Sequence, residues 1–258
     1  MTRSGAVTTR HERIRELLLE HGSVRSDELV SQLDVSLMTV HRDLDALERQ
    51  GWLRRSHGGA TIERSVLYEL NVRSRMVENL DAKKAIARAA AGLIERGDAI
   101  ILDDSTTSLA LVEAFGDAEP GTIVTNFRKI IDVVAGTSDA NLIALGGQYH
   151  SSYDSFFGSG TVDILSTLHA DKVFVSSSAI TDGACFHQVP ESIAVKRAML
   201  QAAGTRILLV DHSKFQKRAL HRLCALEDFD ITVTDAAIAP EDLELLRERC
   251  PRVVVAPA

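Results

Sequence analysis

From Asp81 onward, short apolar runs alternate with helical segments, and this alternation restricts the fold more than any other feature of the chain. The runs are Ala99–Leu102, Thr122–Val124, Leu142–Leu145, Val173–Val175, Arg206–Val210, Ile231–Thr234 and Arg252–Val255. Short, mostly apolar strands separated by helices are typical of a parallel sheet that is covered on both faces. The sequence therefore predicts a mostly parallel α/β domain over residues 81–258, so that the fold class is α/β.

The first sixty residues have a different, helical periodicity. Helices are predicted at Arg10–Glu20, Asp27–Leu33 and Leu37–Gln50. Ser26 and Ser36 are expected to cap the second and third helices, and residues 52–60 predict a β-ribbon with a glycine turn. Three helices followed by a ribbon predict a small winged helix-turn-helix domain over residues 1–60, joined by a linker over residues 61–80 to the α/β domain.

The net charge of −7 hides an uneven distribution. Residues 1–60 hold nine arginines, no lysine and nine acidic residues, so that the whole excess of acid lies in the remainder. A neutral head that carries only arginine can still bind DNA if its arginines share one face. Because the chain has no bilayer-length apolar run, no secretory signal and no CxxC pair, we expect a cytoplasmic protein with free thiols and without a membrane partner, a metal or a cofactor.

On the third helix, Val40, Leu44 and Leu47 form an apolar stripe that is expected to pack on the first two helices. The opposite side of this helix is then expected to enter the major groove of double-stranded DNA, and the ribbon is expected to contact the sugar-phosphate backbone of the DNA. The predicted DNA-binding residues are Ser36, Thr39, His41, Arg42, Arg54, Arg55 and His57. The alternative is a small helical domain that binds another protein.

The segments Val35–Leu44 and Leu47–Ala60 resemble the head of the DeoR family of bacterial sugar-responsive transcription regulators. The resemblance covers nearly the whole head and implies operator binding. One departure concerns DNA contact, because the family usually has two arginines where this chain has His41 and Arg42. A neutral histidine attracts phosphate less and reads bases differently.

Polar residues follow five of the predicted strands, and ligands of open α/β sheets bind where strands end. A hydroxyl-rich loop at a helix N-terminus suits phosphate, a lysine adds a cation, and carboxylate or amide groups bind sugar hydroxyls. The predicted effector-binding residues are Asp103, Ser105, Thr106, Thr107, Asn126, Gly147, Asp182 and Lys214. The alternative is that each is only a turn former or a helix cap.

The chain from Lys83 to about Asp235 resembles the effector domain of the same family, through motifs such as Asp103-x-x-Thr106-Thr107 and Asp211-x-Ser213-Lys214-Phe215. That domain is similar in fold to ribose-5-phosphate isomerase, and the resemblance implies a phosphorylated sugar or related metabolite as effector. Ser105 replaces the usual glycine of the loop. The aromatic segment Gln148–Gly158 is expected either to wall the pocket or to form an oligomer contact or packed loop.

Three functions follow. The favoured one is a DNA-binding transcription regulator, a repressor of carbohydrate-metabolism genes that a phosphorylated sugar releases from DNA and that acts as a homo-oligomer. The second is a sugar-phosphate isomerase-like enzyme with a fused head and acid–base candidates Asp103, Asp182, Glu191 and Lys214. Cys185 weakens it, because the isomerase-like pattern has a second carboxylate there. The third is an adaptor whose α/β domain binds no ligand and serves only for dimerisation.

Overall fold

The computed structural model describes residues 10–11, 13–14, 17–18, 21–49, 53–62, 72–116, 118–137 and 139–257. The chain forms two compact units, Met1–Ser74 and Arg75–Ala258. Among the described helices, none has the length and apolar character needed to cross a membrane.

The N-terminal unit is a helical domain with a small antiparallel sheet. Residues 10–11, 13–14, 17–18 and 21 are helical, and the later elements are β1 (Ser23–Arg25), α1 (Ser26–Leu33), α2 (Leu37–Arg49), β2 (Leu53–Ser56) and β3 (Gly59–Ile62). The strands pair in the order β1-β3-β2. Val40, Leu44 and Leu47 are fully buried together with Ile14 and Leu18, so that the predicted stripe forms the core of this unit.

Strand β1 is missing from the sequence prediction, and it changes the start of the second helix. Ser26 is the first residue of α1 and Arg25 is its N-cap, so the prediction that Ser26 caps this helix is wrong. Ser26 is instead buried, and its hydroxyl has no hydrogen-bond partner among the described residues. A Cβ on Gly59 would lie 2.1 Å from the carbonyl oxygen of Val24, so only glycine lets β1 pair with β3 here.

The predicted linker, residues 61–80, is partly regular structure. Thr61 and Ile62 belong to β3, residues 63–71 lie outside the described part of the chain, and Val72–Val77 form helix α3. A six-residue helix is too short to show a helical period in the sequence.

The second unit contains a large sheet of seven parallel strands and two smaller antiparallel sheets. Its strands are β4 (Ala99–Leu102), β5 (Thr122–Thr125), β6 (Asn141–Ala144), β7 (Gln148–His150), β8 (Ser155–Phe157), β9 (Ala170–Ser176), β10 (Ala179–Thr181), β11 (Ala184–His187), β12 (Ala203–Leu209), β13 (His221–Ala225), β14 (Ile231–Asp235) and β15 (Arg252–Ala256). The order of the large sheet is β15-β14-β12-β9-β4-β5-β6, and every pairing in it is parallel. The predicted α/β class is therefore confirmed.

Helices alternate with the strands of this sheet along the chain. They are α4 (Leu80–Ala91), α5 (Thr106–Glu113), α6 (Arg128–Thr137), α7 (Ser159–Leu165), α8 (Pro190–Gln201) and α9 (Pro240–Arg249), with 3-10 turns at His212–Gln216 and Leu226–Asp228. The helix predicted at Asp81–Arg96 ends at Ala91 and continues as turns. The β7–β8 hairpin, α7 and the small sheet β10-β11-β13 were not predicted, because segments of three to seven residues carry little periodicity.

The central strands carry the core and fix the position of the candidate site. Leu102 of β4 pairs with Thr125 of β5 and with Phe174 of β9, and all three are buried. The residues that follow these strands therefore lie side by side at the carboxyl edge of the sheet.

Candidate functional site

The outer side of α2 carries exposed apolar and basic side chains. Met38 is 71% exposed, Leu37 and Arg42 are also exposed, and His41 is half-buried. Ser36 accepts the backbone N–H of Thr39, with 3.2 Å between nitrogen and Oγ, and the two hydroxyls lie 2.9 Å apart. Ser36 therefore caps α2 as predicted.

The ribbon formed by β2 and β3 turns at His57 and Gly58, and Arg54 and His57 are exposed. Arg55 behaves differently from these two residues. Its backbone N–H donates to Glu48 Oε1 at 2.7 Å, and its Nη1 lies 3.5 Å from Asp45 Oδ1. Arg55 therefore ties the ribbon to α2, a role that the sequence prediction of DNA contact did not include.

A buried carboxylate holds the N-terminal helical residues on α2. Asp43 is 4% exposed and accepts hydrogen bonds from Arg10 Nη2 at 3.0 Å, while His11 Nε2 lies 3.0 Å from its Oδ1. Burial raises the pKa of Asp43, but the hydrogen bonds from Arg10 and His11 outweigh burial and leave the pKa below its ordinary value. The contacts of Asp43 with Arg10 and His11 stabilise the position of α2, the helix that carries Arg42.

In the second unit, Asp103 follows β4 and is fully buried. Its Oδ1 accepts the N–H of Ser105 at 3.1 Å and the hydroxyl of Ser108 at 2.6 Å, and its Oδ2 accepts the N–H of Ser176 at 2.7 Å and Lys196 Nζ. A carboxylate with four donors has no remaining acceptor site for a sugar hydroxyl. The structure therefore gives Asp103 the role of holding the loop, and the predicted contact with sugar hydroxyls is not supported.

Sequence reasoning missed Lys196, which lies on α8. Its side chain is 3% exposed, and its Nζ pairs with Asp103 and lies 3.3 Å from Asp104 Oδ1. Burial lowers the pKa of Lys196, but the charges of Asp103 and Asp104 outweigh burial and raise the pKa above its ordinary value. The signal in the sequence was a lysine among the buried residues of a helix, Val195, Ala198 and Met199.

The loop after Asp103 is a capped helix start. Ser105 Oγ accepts the N–H of Ser108 at 2.9 Å, so Ser105 is the N-cap of α5. Helix geometry leaves the N–H groups of Thr106 and Thr107 without intrahelical acceptors, and the helix dipole makes such a position favourable for an anion. Thr106 Oγ1 itself donates to the carbonyl oxygen of Arg75 at 3.2 Å.

Arg75, on α3, is a second residue that sequence reasoning missed, because it lies in the predicted linker. Its Nη1 donates to the carbonyl oxygen of Asp104 at 3.3 Å. Its Nε and Nη2 are buried and have no hydrogen-bond partner among the described residues. The carbonyl oxygen of Arg75 accepts Lys83 Nζ as well as the Thr106 hydroxyl.

Asp211 and Lys214 follow β12 at the same edge. Asp211 accepts Asn79 Nδ2 at 3.0 Å and the N–H of Ser213 at 3.0 Å, and Lys214 Nζ lies 3.9 Å from Asp211 Oδ2. Burial lowers the pKa of Lys83, to about 8, with a further contribution from the charge of Lys214. The charges of Asp211 and Glu78 oppose this lowering, so that acidic and basic groups share this part of the edge.

His187 lies at the end of β11, and its ring is perturbed by several charged groups. Burial lowers the pKa of His187 well below its ordinary value. The positive charges of Lys196, Arg75 and Lys214 lower this pKa further, and the charge of Asp103 opposes them. His187 Nδ1 accepts the N–H of Val189 at 3.1 Å, which leaves Nε2 as the protonated nitrogen of a neutral ring. We call Arg75, Lys83, Lys196 and Lys214 the cationic cluster.

Asn126 and Gly147 flank the cluster on the β5–β6 side. Asn126 donates from Nδ2 to the carbonyl oxygen of Phe156 at 2.9 Å, and its buried Oδ1 has no partner among the described residues. A Cβ on Gly147 would lie 2.3 Å from Thr161 Oγ1. Gly147 therefore allows close packing, and Asn126 holds the β7–β8 hairpin.

The aromatic segment 148–158 forms that hairpin. Tyr149 packs on Phe156 and Tyr153 on Phe157, with ring centroids 5.4 and 5.8 Å apart. Tyr149 Oη donates to Asp154 Oδ1 at 2.7 Å. Of the readings left open by the sequence, these contacts support the packed loop.

Asp182 does not join the other predicted residues. It forms the β10–β11 turn with Gly183, whose carbonyl oxygen accepts the N–H of Leu226 at 3.0 Å. Leu226 precedes the amino end of β14, so this turn lies away from the carboxyl edge. The Asp-Gly pair is one that hairpin turns favour, and that physical role explains it.

These two units together define a class of protein: a winged helix-turn-helix domain followed by an α/β domain with a cationic carboxyl edge is the arrangement of a DNA-binding regulator with a sensor domain. Residues 10–66 match the DeoR-like helix-turn-helix domain, and residues 78–236 match the DeoR C terminal sensor domain. The chain belongs to the DeoR family of transcription regulators.

Named relatives agree with this assignment. The chain is 31% identical over 229 residues to the transcriptional repressor AccR of Agrobacterium fabrum, covering 88% of this chain and 89% of that protein. It is 33% identical over 229 residues to the lactose phosphotransferase system repressor of Staphylococcus epidermidis (88% and 91% covered). It is 31% identical over 230 residues to the glycerol-3-phosphate regulon repressor of Escherichia coli (89% and 91% covered).

These relatives are transcriptional repressors, so the prediction of a DNA-binding regulator rather than an enzyme is confirmed. A crystal structure of ribose 5 phosphate isomerase A from Neisseria gonorrhoeae aligns with 53% of this chain and 53% of its own, at 14% identity and a TM-score of 0.39. This similarity is too low to indicate a reaction or a ligand for this chain.

Proposed function

We propose that this chain is a repressor of carbohydrate-metabolism genes and that a phosphorylated sugar, bound at the carboxyl edge of the sensor domain, releases it from DNA. The observation that carries the proposal is that Arg75 and Lys83, two members of the cationic cluster, are hydrogen-bonded at the start of α5, and that Lys214 adds its charge beside Lys83. A phosphate dianion offers acceptors to the Arg75 guanidinium and to the N–H groups at the start of α5, and its charge opposes the repulsion between Lys83 and Lys214. The names of the lactose phosphotransferase and glycerol-3-phosphate repressors support the ligand class.

The proposed contacts for the phosphate are the Thr106 and Thr107 N–H groups, Arg75 and Lys214, and the proposed contact for the sugar is Asn126 Oδ1, which has no partner among the described residues. The test is calorimetry with glucose 6-phosphate, fructose 1-phosphate and glycerol 3-phosphate, each beside its unphosphorylated parent, with turnover measured on the same compounds. At a hundred times its dissociation constant a ligand stabilises the fold by about 2.7 kcal/mol, which a melting curve detects. Binding without a preference for the phosphorylated member of each pair would refute the proposal.

We expect the regulator to act as a homo-oligomer, at least a dimer. Light scattering at micromolar concentration with and without DNA checks this. A monomer that binds one half-site with full affinity is the contrary result.

Replacing Arg42 by alanine should weaken specific DNA binding while leaving the fold intact, because Arg42 is exposed and lies opposite the Val40/Leu44/Leu47 stripe. If Arg42 binds guanine, the expected loss is about 1–3 kcal/mol, with relaxed preference at one base pair. The measurement is a gel-shift titration at fixed salt, using a duplex that the wild type selects from a random pool. Arg88→Ala, an exposed arginine of the sensor domain, is the matched control, and equal affinity of both variants would show that α2 is not the reading helix.

Binding of a phosphorylated sugar should weaken as pH rises from 7 to 9. Lys83, with a pKa of about 8, is mostly charged at pH 7 and mostly neutral at pH 9, whereas phosphate stays a dianion above its second pKa of about 6. The loss of one nearby positive charge predicts about threefold to tenfold weaker binding. Calorimetry across this range with wild type and Lys83→Met checks it, since the variant should lose the slope. A flat wild-type profile would exclude Lys83 from the electrostatics of the site.

A further inference from the structure

We infer that Arg75 couples effector binding to DNA binding: its guanidinium takes the effector phosphate, and its backbone passes that contact to α3, through which the chain leads to the DNA-binding unit. This inference rests on the proposed function and adds the residue by which occupancy is communicated.

The first observation is an incomplete set of hydrogen bonds. Arg75 directs only Nη1 to a protein acceptor, the carbonyl oxygen of Asp104, whereas Nε and Nη2 are buried without a partner among the described residues. Burying guanidinium N–H groups without acceptors is costly, and the loop beside them is the start of α5. Nε and Nη2 belong to one edge of the guanidinium and suit two oxygens of one phosphate.

A second, independent observation on the same edge is Asn126. It is fully buried, and its Oδ1 has no partner in the described part of the chain. Asn126 and Asp103 follow the paired residues Thr125 and Leu102, so they lie next to each other. Asn126 therefore adds to this edge a buried acceptor without a donor from the described residues, and together with the Arg75 donors it fits a ligand that carries both phosphate oxygens and hydroxyl groups.

The third observation concerns the backbone of Arg75. Its carbonyl oxygen accepts both the Thr106 hydroxyl and Lys83 Nζ, and Lys83 also donates to the carbonyl oxygen of Glu78 at 2.6 Å. The last turn of α3 is therefore tied to the effector loop and to α4 at one residue. Drawing the guanidinium onto a phosphate shifts or restrains α3, because the side chain and the carbonyl belong to the same short helix.

The distinction between binding and coupling gives the test. Lys214 is proposed to contribute affinity only, so Lys214→Ala should shift the curve of DNA release to higher effector concentration and reach the wild-type plateau. Arg75→Gln should weaken binding by about ten- to a hundredfold and also lower the plateau, so that a saturated protein stays on DNA. Arg75→Lys keeps the charge without the paired donors and should give an intermediate plateau.

The experiment uses the full chain, the duplex selected by the wild type, and whichever of glucose 6-phosphate, fructose 1-phosphate or glycerol 3-phosphate binds the wild type by calorimetry. DNA occupancy of each protein is normalised to its own value without sugar phosphate, and Arg88→Gln is the control. Hydrogen exchange of the Val72–Val77 amides is the second readout, which the sugar phosphate should change in wild type and in Lys214→Ala but not in Arg75→Gln.

A full release plateau for Arg75→Gln, or the wild-type exchange response in its α3, overturns the inference and leaves the proposed function standing. If Arg75→Gln does not fold, Arg75→Lys is measured instead, and a full release plateau for Arg75→Lys then overturns the inference. If none of the three sugar phosphates binds the wild type, the proposed function fails first, and the inference fails with it.

Discussion

Replacing Lys196 by methionine is expected to destabilise the sensor domain by about 3–5 kcal/mol, since removal of one partner leaves two carboxylates buried without their cation. Lys196 is the cation of Asp103 and Asp104, which are 0% and 3% exposed. Methionine has a similar length and keeps the packing of α8, so that the loss reports the charge. Urea unfolding followed by circular dichroism measures it, with the transitions of the two units fitted separately.

Lys84→Met is the matched control, because Lys84 is exposed on α4 and its loss should change stability by no more than about 0.5 kcal/mol. The raised pKa of Lys196 also sets a pH dependence: its stabilisation is fully present below the unfolded pKa, about 10.4, and is lost as pH rises through the higher folded pKa. A loss below about 1 kcal/mol for Lys196→Met would show that the buried pair is not what holds the effector loop.

The second large effect is expected for Lys214→Ala, which should bind the effector about ten- to a hundredfold more weakly. A charge-assisted hydrogen bond to phosphate is worth about 1.5–3 kcal/mol, and Lys214 adds positive charge beside Arg75 and Lys83. The variant should bind DNA normally and remain bound at effector concentrations that release the wild type, which makes it a super-repressor. Release curves of Lys214→Ala and wild type that superimpose would place the effector site elsewhere.

Much of the fold could be predicted from local sequence patterns. The seven parallel strands each lie on a short apolar run, and the Val40/Leu44/Leu47 stripe is buried as its spacing requires. Strand β1 and helix α3 could not be predicted, because they are three and six residues long.

The candidate site was predicted only in part, for a related reason. The loop Ser105–Thr107 and Lys214 stand out because they follow apolar strands. Lys196 and Arg75 reach the loop across 93 and 29 positions of sequence, and only the tertiary fold brings them there. Asp182 follows a strand too, but that strand belongs to a small antiparallel sheet, and a sequence pattern does not separate the two kinds of strand ends.

The most direct test that effector binding controls DNA binding is a reciprocal titration of the wild-type chain with DNA and a phosphorylated sugar. The dissociation constant of whichever tested sugar phosphate binds is measured on the free protein and on the protein saturated with its selected duplex. Because coupling is reciprocal, we expect the sugar phosphate to bind the DNA-bound protein more weakly, by the same factor by which it weakens DNA binding, about five- to 150-fold. Equal affinity for free and DNA-bound protein would contradict the claim that this site controls release.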